Sequence, residues 1–292
     1  MGAREKLSTV LITGGTDGLG RACAVLLAEQ GYRVFAAGRS AEKRARLEEY
    51  ARQGGLPLET LEMDVCDTAS VDRALDEVCS KAGPVDVLVN NAGIGYYAPV
   101  EELRMDDLRS VLETNFFGVV RVTQRVLPGM RERKRGRIVN MSSLAGKLAI
   151  PMFGAYSASK YALEAWSDAL RLEVYPFGVE VVLIEPGVIK TNFQATAREV
   201  SADYWAAAAK SPYAEVYEGY NRRRKSADKS ATATPEDCAR VVLRAVRETP
   251  PRPRYTVTRN ARLLSLAKRF LSDRMLDRLL RRAFGLKRAG AE

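Results

Sequence analysis

Thr9-Val10-Leu11-Ile12-Thr13-Gly14-Gly15-Thr16-Asp17-Gly18-Leu19-Gly20 reads as a short apolar run that ends in a glycine-rich turn, and an amphipathic stretch follows over residues 21–30. An apolar run this short, rich in β-branched residues and closed by glycines, predicts a buried strand that turns directly into a helix. Missing side chains at Gly14, Gly18 and Gly20 permit a tight turn and close helix–strand packing, and let a pyrophosphate approach the backbone at the start of the helix. The spacing is G-x-x-x-G-x-G.

Working outward, the same alternation continues with apolar runs at residues 33–37, 58–64 and 85–90 and amphipathic stretches at 41–52 and 71–81. Residues 105–133 predict one long helix with Pro128 near its end, 137–141 a strand, 153–175 a second long helix and 179–185 another strand. Alternating strands and helices of this kind imply parallel βαβ units, so the expected fold is α/β, a single doubly wound Rossmann-type sheet with helices on both faces. Residues 192–234 carry Ala, Tyr and charge without a clear strand and predict a helical insertion, a candidate substrate lid. A helix at 235–248 and a strand at 254–258 complete the domain, expected over 1–258, and 259–292 forms a basic extension.

The 292 residues are 46% hydrophobic and include no apolar run of membrane-spanning length. No charged-then-apolar leader precedes the first strand, so a cytoplasmic protein is expected. Cys23, Cys66, Cys79 and Cys238 lack metal or disulfide spacing, and there is no histidine. No metal site is therefore expected, and acid–base chemistry falls to Tyr, Lys, Asp or Glu. Of the net charge of +10, a balance of +8 lies between Arg259 and Arg288, where ten Lys/Arg meet two Asp/Glu. The body is left nearly neutral, which argues against a nucleic-acid-binding face.

Tyr156 and Lys160 stand four residues apart in a predicted helix and so share a face, with Ser143 thirteen residues upstream. An ammonium beside a phenol favours its ionised form, which makes the pair a usable proton donor and acceptor. Thr13 to Gly20, Asp64-Val65, Asn90-Asn91-Ala92-Gly93, Asn115, Ser142-Ser143, Tyr156 with Lys160, and Pro186-Gly187 with Thr191 occur in one order over the first two-thirds of the chain. In this ordered set the sequence resembles the short-chain dehydrogenases/reductases.

The resemblance implies hydride transfer between a nicotinamide dinucleotide and a carbonyl or alcohol. Tyr156 would then exchange the proton, Ser143 hold the substrate oxygen, Lys160 lower the phenol pKa and bind the nicotinamide ribose, and Asn115 hold a water that resupplies protons. It also implies a dinucleotide site made of Gly14, Thr16, Asp17, Gly18, Leu19, Gly20, Asp64, Val65, Asn91, Ala92, Gly93, Tyr156, Lys160, Pro186, Gly187, Val188, Ile189 and Thr191. The second strand ends Ala36-Ala37-Gly38-Arg39, which removes a carboxylate that would accept from a ribose hydroxyl and supplies a cation for a 2′-phosphate. NADP(H) is expected over NAD(H), with Asp17 as the residue that argues against it.

The segments expected beside the nicotinamide, including Tyr96, Phe153 and Phe193, are apolar and aromatic and suit a lipophilic alcohol or ketone better than a sugar. Steroid, retinoid and long-chain lipid oxidoreductases are the nearest resemblance. Residues 261–270 and 273–284 place Leu263, Leu266, Phe270, Met275, Leu276, Leu279, Leu280 and Phe284 at helical spacing among basic residues. These two amphipathic helices either pack on the body or a second subunit, or contact an anionic membrane surface. The resemblance further implies a homodimer or homotetramer. Two other functions stay open: a 3-ketoacyl-thioester reductase that uses the basic tail on an acidic carrier, and a non-enzymatic dinucleotide sensor.

Overall fold

The computed structural model of the chain describes residues 8–189, 192–230 and 233–288. Seven parallel strands form one sheet in the order β3-β2-β1-β4-β5-β6-β7. They are β1 (Thr9–Thr13), β2 (Arg33–Gly38), β3 (Leu58–Glu62), β4 (Val87–Asn90), β5 (Gly136–Met141), β6 (Val179–Glu185) and β7 (Arg254–Thr256). The chain leaves β1 toward β2 on one side and returns to β4 on the other. The switch point of this doubly wound sheet therefore lies between β1 and β4, and the strand ends there open into a crevice.

Helices α1 (Gly18–Glu29), α2 (Ala41–Gln53) and α3 (Thr68–Ala82) connect the first four strands. Each starts on a side-chain cap, Asp17, Ser40 and Asp67 respectively, which satisfies backbone donors that the helix cannot. The stretch expected to be one long helix is instead two, α4 (Met105–Leu112) and α5 (Gly118–Glu132), separated by a π-helical turn over Glu113–Phe117. The extra residue in this turn puts the apolar face of α5 one position out of step with that of α4, and the turn carries Asn115. Helix α6 (Gly154–Val174) matches the second expected long helix to within a residue at each end.

One sheet face buries Val10, Ile12, Val34, Val89, Val139 and Val182 under α1, α2 and a later helix, α10 (Pro235–Arg247). The other buries Leu11, Phe35, Leu88, Ile138 and Val181 under α3, α5 and α6. Strands covered on both faces are apolar throughout, which is why β1, β4 and β6 read as continuous apolar runs.

The region after β6 folds as α7 (Phe193–Val200), α8 (Ala202–Ala207) and α9 (Ala214–Ser230). Two C-terminal helices, α11 (Arg259–Phe270) and α12 (Asp273–Phe284), end the fold, and α12 joins the region after β6 in a third, smaller core built from Tyr97, Met152, Ala197, Tyr217, Tyr220 and Phe284. This core sits above the strand ends. Among the described residues no helix is long and apolar enough to cross a membrane.

The glycine-rich turn is fixed by close approach. A Cβ on Gly20 would lie 2.1 Å from the Gly14 carbonyl oxygen, and Gly14 itself has φ +61°. Gly20→Ala is therefore expected to push α1 off the turn, lower stability by about 1–3 kcal/mol and remove dinucleotide binding. Thermal unfolding together with a dinucleotide titration checks both.

Candidate active site

A cavity of about 1520 Å³ runs across the carboxyl ends of the strands. One end is lined by Gly14, Thr16, Asp17, Gly18, Leu19 and Gly20, by Arg39, Asp64 and Val65, and by Asn91, Ala92 and Gly93. The middle is lined by Ser143, Tyr156, Lys160, Pro186, Gly187, Val188 and Ile189, with Tyr96, Phe153 and Phe193 beyond. Almost every residue expected at the site from the sequence thus meets in one space. Thr191 lies outside the described residues. Asn115 does not reach the cavity.

Asn115 is fully buried in the π-helical turn and works as a bracket. Its amide accepts from the Ile94 N–H at 2.8 Å, donates to the Ile94 carbonyl at 2.9 Å, and donates to Ser159 Oγ at 3.0 Å. These bonds pin the loop after β4 to α6, the helix that carries Tyr156 and Lys160. Both donors of the side-chain amide are taken by these bonds, so the expected water would have to donate to an oxygen of Asn115.

Lys160 is 4% exposed, and its ammonium donates to the Met141 carbonyl at 2.7 Å, at the end of β5. Burial pulls its pKa down to about 8, against the opposing field of Glu164 one helical turn away. Tyr156 lies one turn before it, with Lys160 Nζ 5.6 Å from the centre of its ring. Burial raises the phenol pKa, and the hydrogen bond with Ser143 only partly offsets this. The expected lowering by Lys160 is not found, because the ammonium sits over the ring and is spent on a backbone carbonyl. The phenol therefore stands protonated at neutral pH, as a proton donor requires.

The wall behind Tyr156 is aromatic. Phe153 stacks on it with ring centres 4.3 Å apart, Tyr97 stacks on Phe153 at 5.0 Å, and Phe193 leans on Tyr156 at 5.4 Å. Met152, buried with φ +68°, turns the chain so that Phe153 folds back onto Tyr156. A non-glycine residue in this conformation is a local cost that the packing around it sustains.

At the other end Asp17 accepts from the Gly18 N–H at 2.7 Å and pairs with Lys43 on α2. Burial pushes the Asp17 carboxyl up, but Lys43, the Gly18 N–H and Arg21 together bring it below its ordinary value. Arg39, 70% exposed at its side chain, lies 3.6 Å from Asp64. Ser40 and Lys43 also line the cavity and were not legible as site residues in the sequence. Ser40 caps α2 and Lys43 lies in its first turn, positions that only the observed helix start reveals.

The glycine cradle fits a dinucleotide: Gly18 has φ +49° with open space where a Cβ would stand, and the N-terminus of α1 faces the cavity. Two hydrogen bonds from Asn91 Nδ2, to the carbonyls of Thr13 and Gly14 at 3.1 and 3.0 Å, hold the turn against β4. Behind the catalytic helix a buried polar chain runs from Thr123 through Asn90 and Asn140 to Ser167, in bonds of 2.9–3.1 Å. It ties α5, β4, β5 and α6 together.

Comparison with known proteins agrees with this architecture. The family model for short chain dehydrogenase matches residues 8–202. Over 253 residues the chain is 36% identical to dehydrogenase/reductase SDR family member 7B of Xenopus tropicalis, covering 85% of this chain and 76% of that protein. It is 35% identical over 264 residues to retinol dehydrogenase 8 of Bos taurus, covering 88% and 84% respectively. A solved structure of an actinorhodin polyketide ketoreductase variant with NADPH superposes with a TM-score of 0.75 at 31% identity, covering 87% of this chain and 97% of that one. The chain belongs to the short-chain dehydrogenase/reductase family, whose members are oxidoreductases that act on CH–OH groups with NAD(P).

The depressed Lys160 pKa has a thermodynamic consequence with a definite sign. Below about pH 8 the ammonium is charged both folded and unfolded, and its burial costs stability; between about 8 and its ordinary 10.5 the folded state loses the proton first. That loss relieves the cost as pH rises. Lys160→Met is expected to raise the thermal midpoint of the dinucleotide-free protein at pH 6.5 and to gain less at pH 9.5, while losing turnover. Calorimetry at the two pH values checks the sign.

Proposed function

We propose that the protein interconverts a carbonyl and an alcohol on a lipophilic substrate of steroid, retinoid or long-chain lipid type, with NADP(H) and with Tyr156 as proton donor and acceptor. The observation that carries this reading is the convergence of Ser143 and Tyr156 at the foot of an aromatic wall formed by Phe153, Tyr97 and Phe193. An apolar enclosure favours a substrate that needs few buried polar partners. The likeness to retinol dehydrogenase 8 supports the same substrate class.

A bound nicotinamide dinucleotide supplies the hydride for reduction or takes it up for oxidation. For reduction, the Ser143 hydroxyl holds the substrate oxygen beside the phenol, and the protonated Tyr156 gives its proton to that oxygen. The phenolate left behind keeps its hydrogen bond with Ser143, which stabilises it until a proton returns. Oxidation runs the same steps backward. Asn115 acts in this scheme by positioning, since its amide locks α6 to the loop at Ile94.

The preference for NADP(H) is supported by the charges around β2. Arg39, Ser40 and Lys43 offer two cations and a hydroxyl where a ribose phosphate would lie, and Lys43 neutralises Asp17, the residue that argued against it. The likeness to a ketoreductase structure containing NADPH points the same way. That likeness also favours, as a second reading, a 3-ketoacyl thioester as substrate. Self-association as a homodimer or homotetramer belongs to the same proposal, supported by exposed Phe117, Leu172 and Tyr175 beside and on α5 and α6.

The test is a dinucleotide absorbance assay of the full chain against steroids, retinoids, fatty ketones and ketoacyl thioesters with NADPH and NADH in parallel. Turnover of a lipophilic ketone with NADPH preferred supports the reading, and turnover only with thioesters favours the second. Arg39→Asp with Lys43→Ala should cut the NADPH over NADH preference by about tenfold or more, the loss of roughly one charge-assisted contact. Unchanged preference in that double variant removes the assignment.

A further inference from the structure

The two C-terminal helices have two working sides. Ala267 and Leu271 of the α11 end and Leu276, Leu280 and Phe284 of α12 line the cavity, and Phe284 is buried in the third core. Thr258, the cap of α11, packs where Gly187 lacks a side chain, with its Oγ1 2.3 Å from where a Cβ would be. Lys268 donates to the Tyr161 hydroxyl at 2.7 Å and to the Lys147 carbonyl, which bolts α11 to the body. These helices are a wall of the active site.

Their other side is unpaired and apolar. Leu263 is 65% exposed and Phe270 85%, with Leu266 one turn between them, and Met275 and Leu279 are exposed one turn apart on α12. Beside that α12 strip Arg274, Arg278 and Arg281 form an exposed row at helical spacing, and Arg262 is exposed on α11. Leu264 and Leu279 belong to both sides, since they line the cavity and are also exposed. The apolar surface is therefore continuous with the rim of the cavity.

We infer that the exposed side of α11 and α12 docks on an anionic phospholipid bilayer, so that a lipophilic substrate passes between the bilayer and the cavity at the Leu264–Leu279 rim. Charge complementarity selects this occupant: the segment between Arg259 and Arg288 holds +8 of the chain's +10, next to apolar side chains long enough to enter the headgroup boundary. A second copy of this chain would bring Arg262, Arg274, Arg278 and Arg281 to the same surface and would be repelled from a self-complementary contact. The inference deepens the lipophilic-substrate reading, and docking itself is measured without substrate or dinucleotide, so each can fail alone.

The experiment is co-sedimentation of the full chain with phosphatidylcholine vesicles, with and without one-third phosphatidylglycerol, at low and high salt. Binding is expected to the anionic vesicles at low salt and to weaken at high salt. The triple variant Arg274→Gln, Arg278→Gln, Arg281→Gln should bind about 100-fold more weakly, the loss of three juxtamembrane charges. Phe270→Glu should bind at least about tenfold more weakly, and Tyr50→Glu, at an exposed position of α2, should bind as the unmodified chain does. Absence of binding at low salt, equal binding by the triple variant, or equal loss in Tyr50→Glu overturns the inference. So does a vesicle-indifferent oligomer that Phe270→Glu dissociates in light scattering, because the face would then be covered by a second copy.

Discussion

A buried ammonium is costly unless something receives it, and in this protein the Met141 carbonyl does so at the end of β5. That one bond sets the rotation of α6 about its axis and its distance from the sheet. Tyr156, one turn earlier, is then carried to the mouth of the crevice, and Ser143, two residues beyond Met141, is brought to the phenol. The surrounding polar bonds serve the same placement. The Thr123–Asn90–Asn140–Ser167 chain fixes α6 laterally, and the Asn115 bracket ties its second turn, at Ser159, to Ile94. Because Lys160 is destabilising in its charged form, these contacts hold a group that the fold alone would disfavour, as is common where residues are arranged for chemistry.

The third core shapes the upper part of the same site. The sheet faces bury ordinary aliphatic cores, whereas the strand ends are roofed by tyrosines, phenylalanines and a tryptophan drawn from loops, from α7 to α9 and from α12. Aromatic rings cover much area with few rotatable bonds, so a small cap of this kind can be shaped and still yield to a bulky ligand. Burial by that cap also keeps the Tyr156 phenol protonated. One physical cause, exclusion of water, thus keeps the phenol protonated and makes the enclosure around it apolar.

The parts legible in the sequence were those governed by local rules. The apolar run at 9–13 and the glycine turn identified the switch-point strand, and the Tyr156–Lys160 interval placed two side chains on one helix face. Through-space relations were not legible. The π-helical turn at Asn115 shifts the apolar rhythm by a single residue, too little to separate two helices in the sequence, and the partners of its amide are a backbone 21 residues away and a serine 44 residues away. Lys43 was invisible because its role depends on where α2 begins. The C-terminal helices showed their amphipathic pattern, but only the fold shows that one side closes the cavity while the other faces outward. The phenol was expected to be acidified by Lys160, and burial reversed that sign.

Proton transfer at Tyr156 Oη is the step on which the proposed reaction depends, and one measurement addresses it most directly. With a ketone that the unmodified protein reduces, kcat of Tyr156→Phe is compared alongside dinucleotide affinity from fluorescence titration. Loss of a positioned acid predicts a fall in kcat of about 10²–10⁴-fold, with dinucleotide affinity and thermal midpoint near those of the unmodified protein. Turnover at the original rate, with the dinucleotide still bound, would contradict the assignment of the proton to this oxygen.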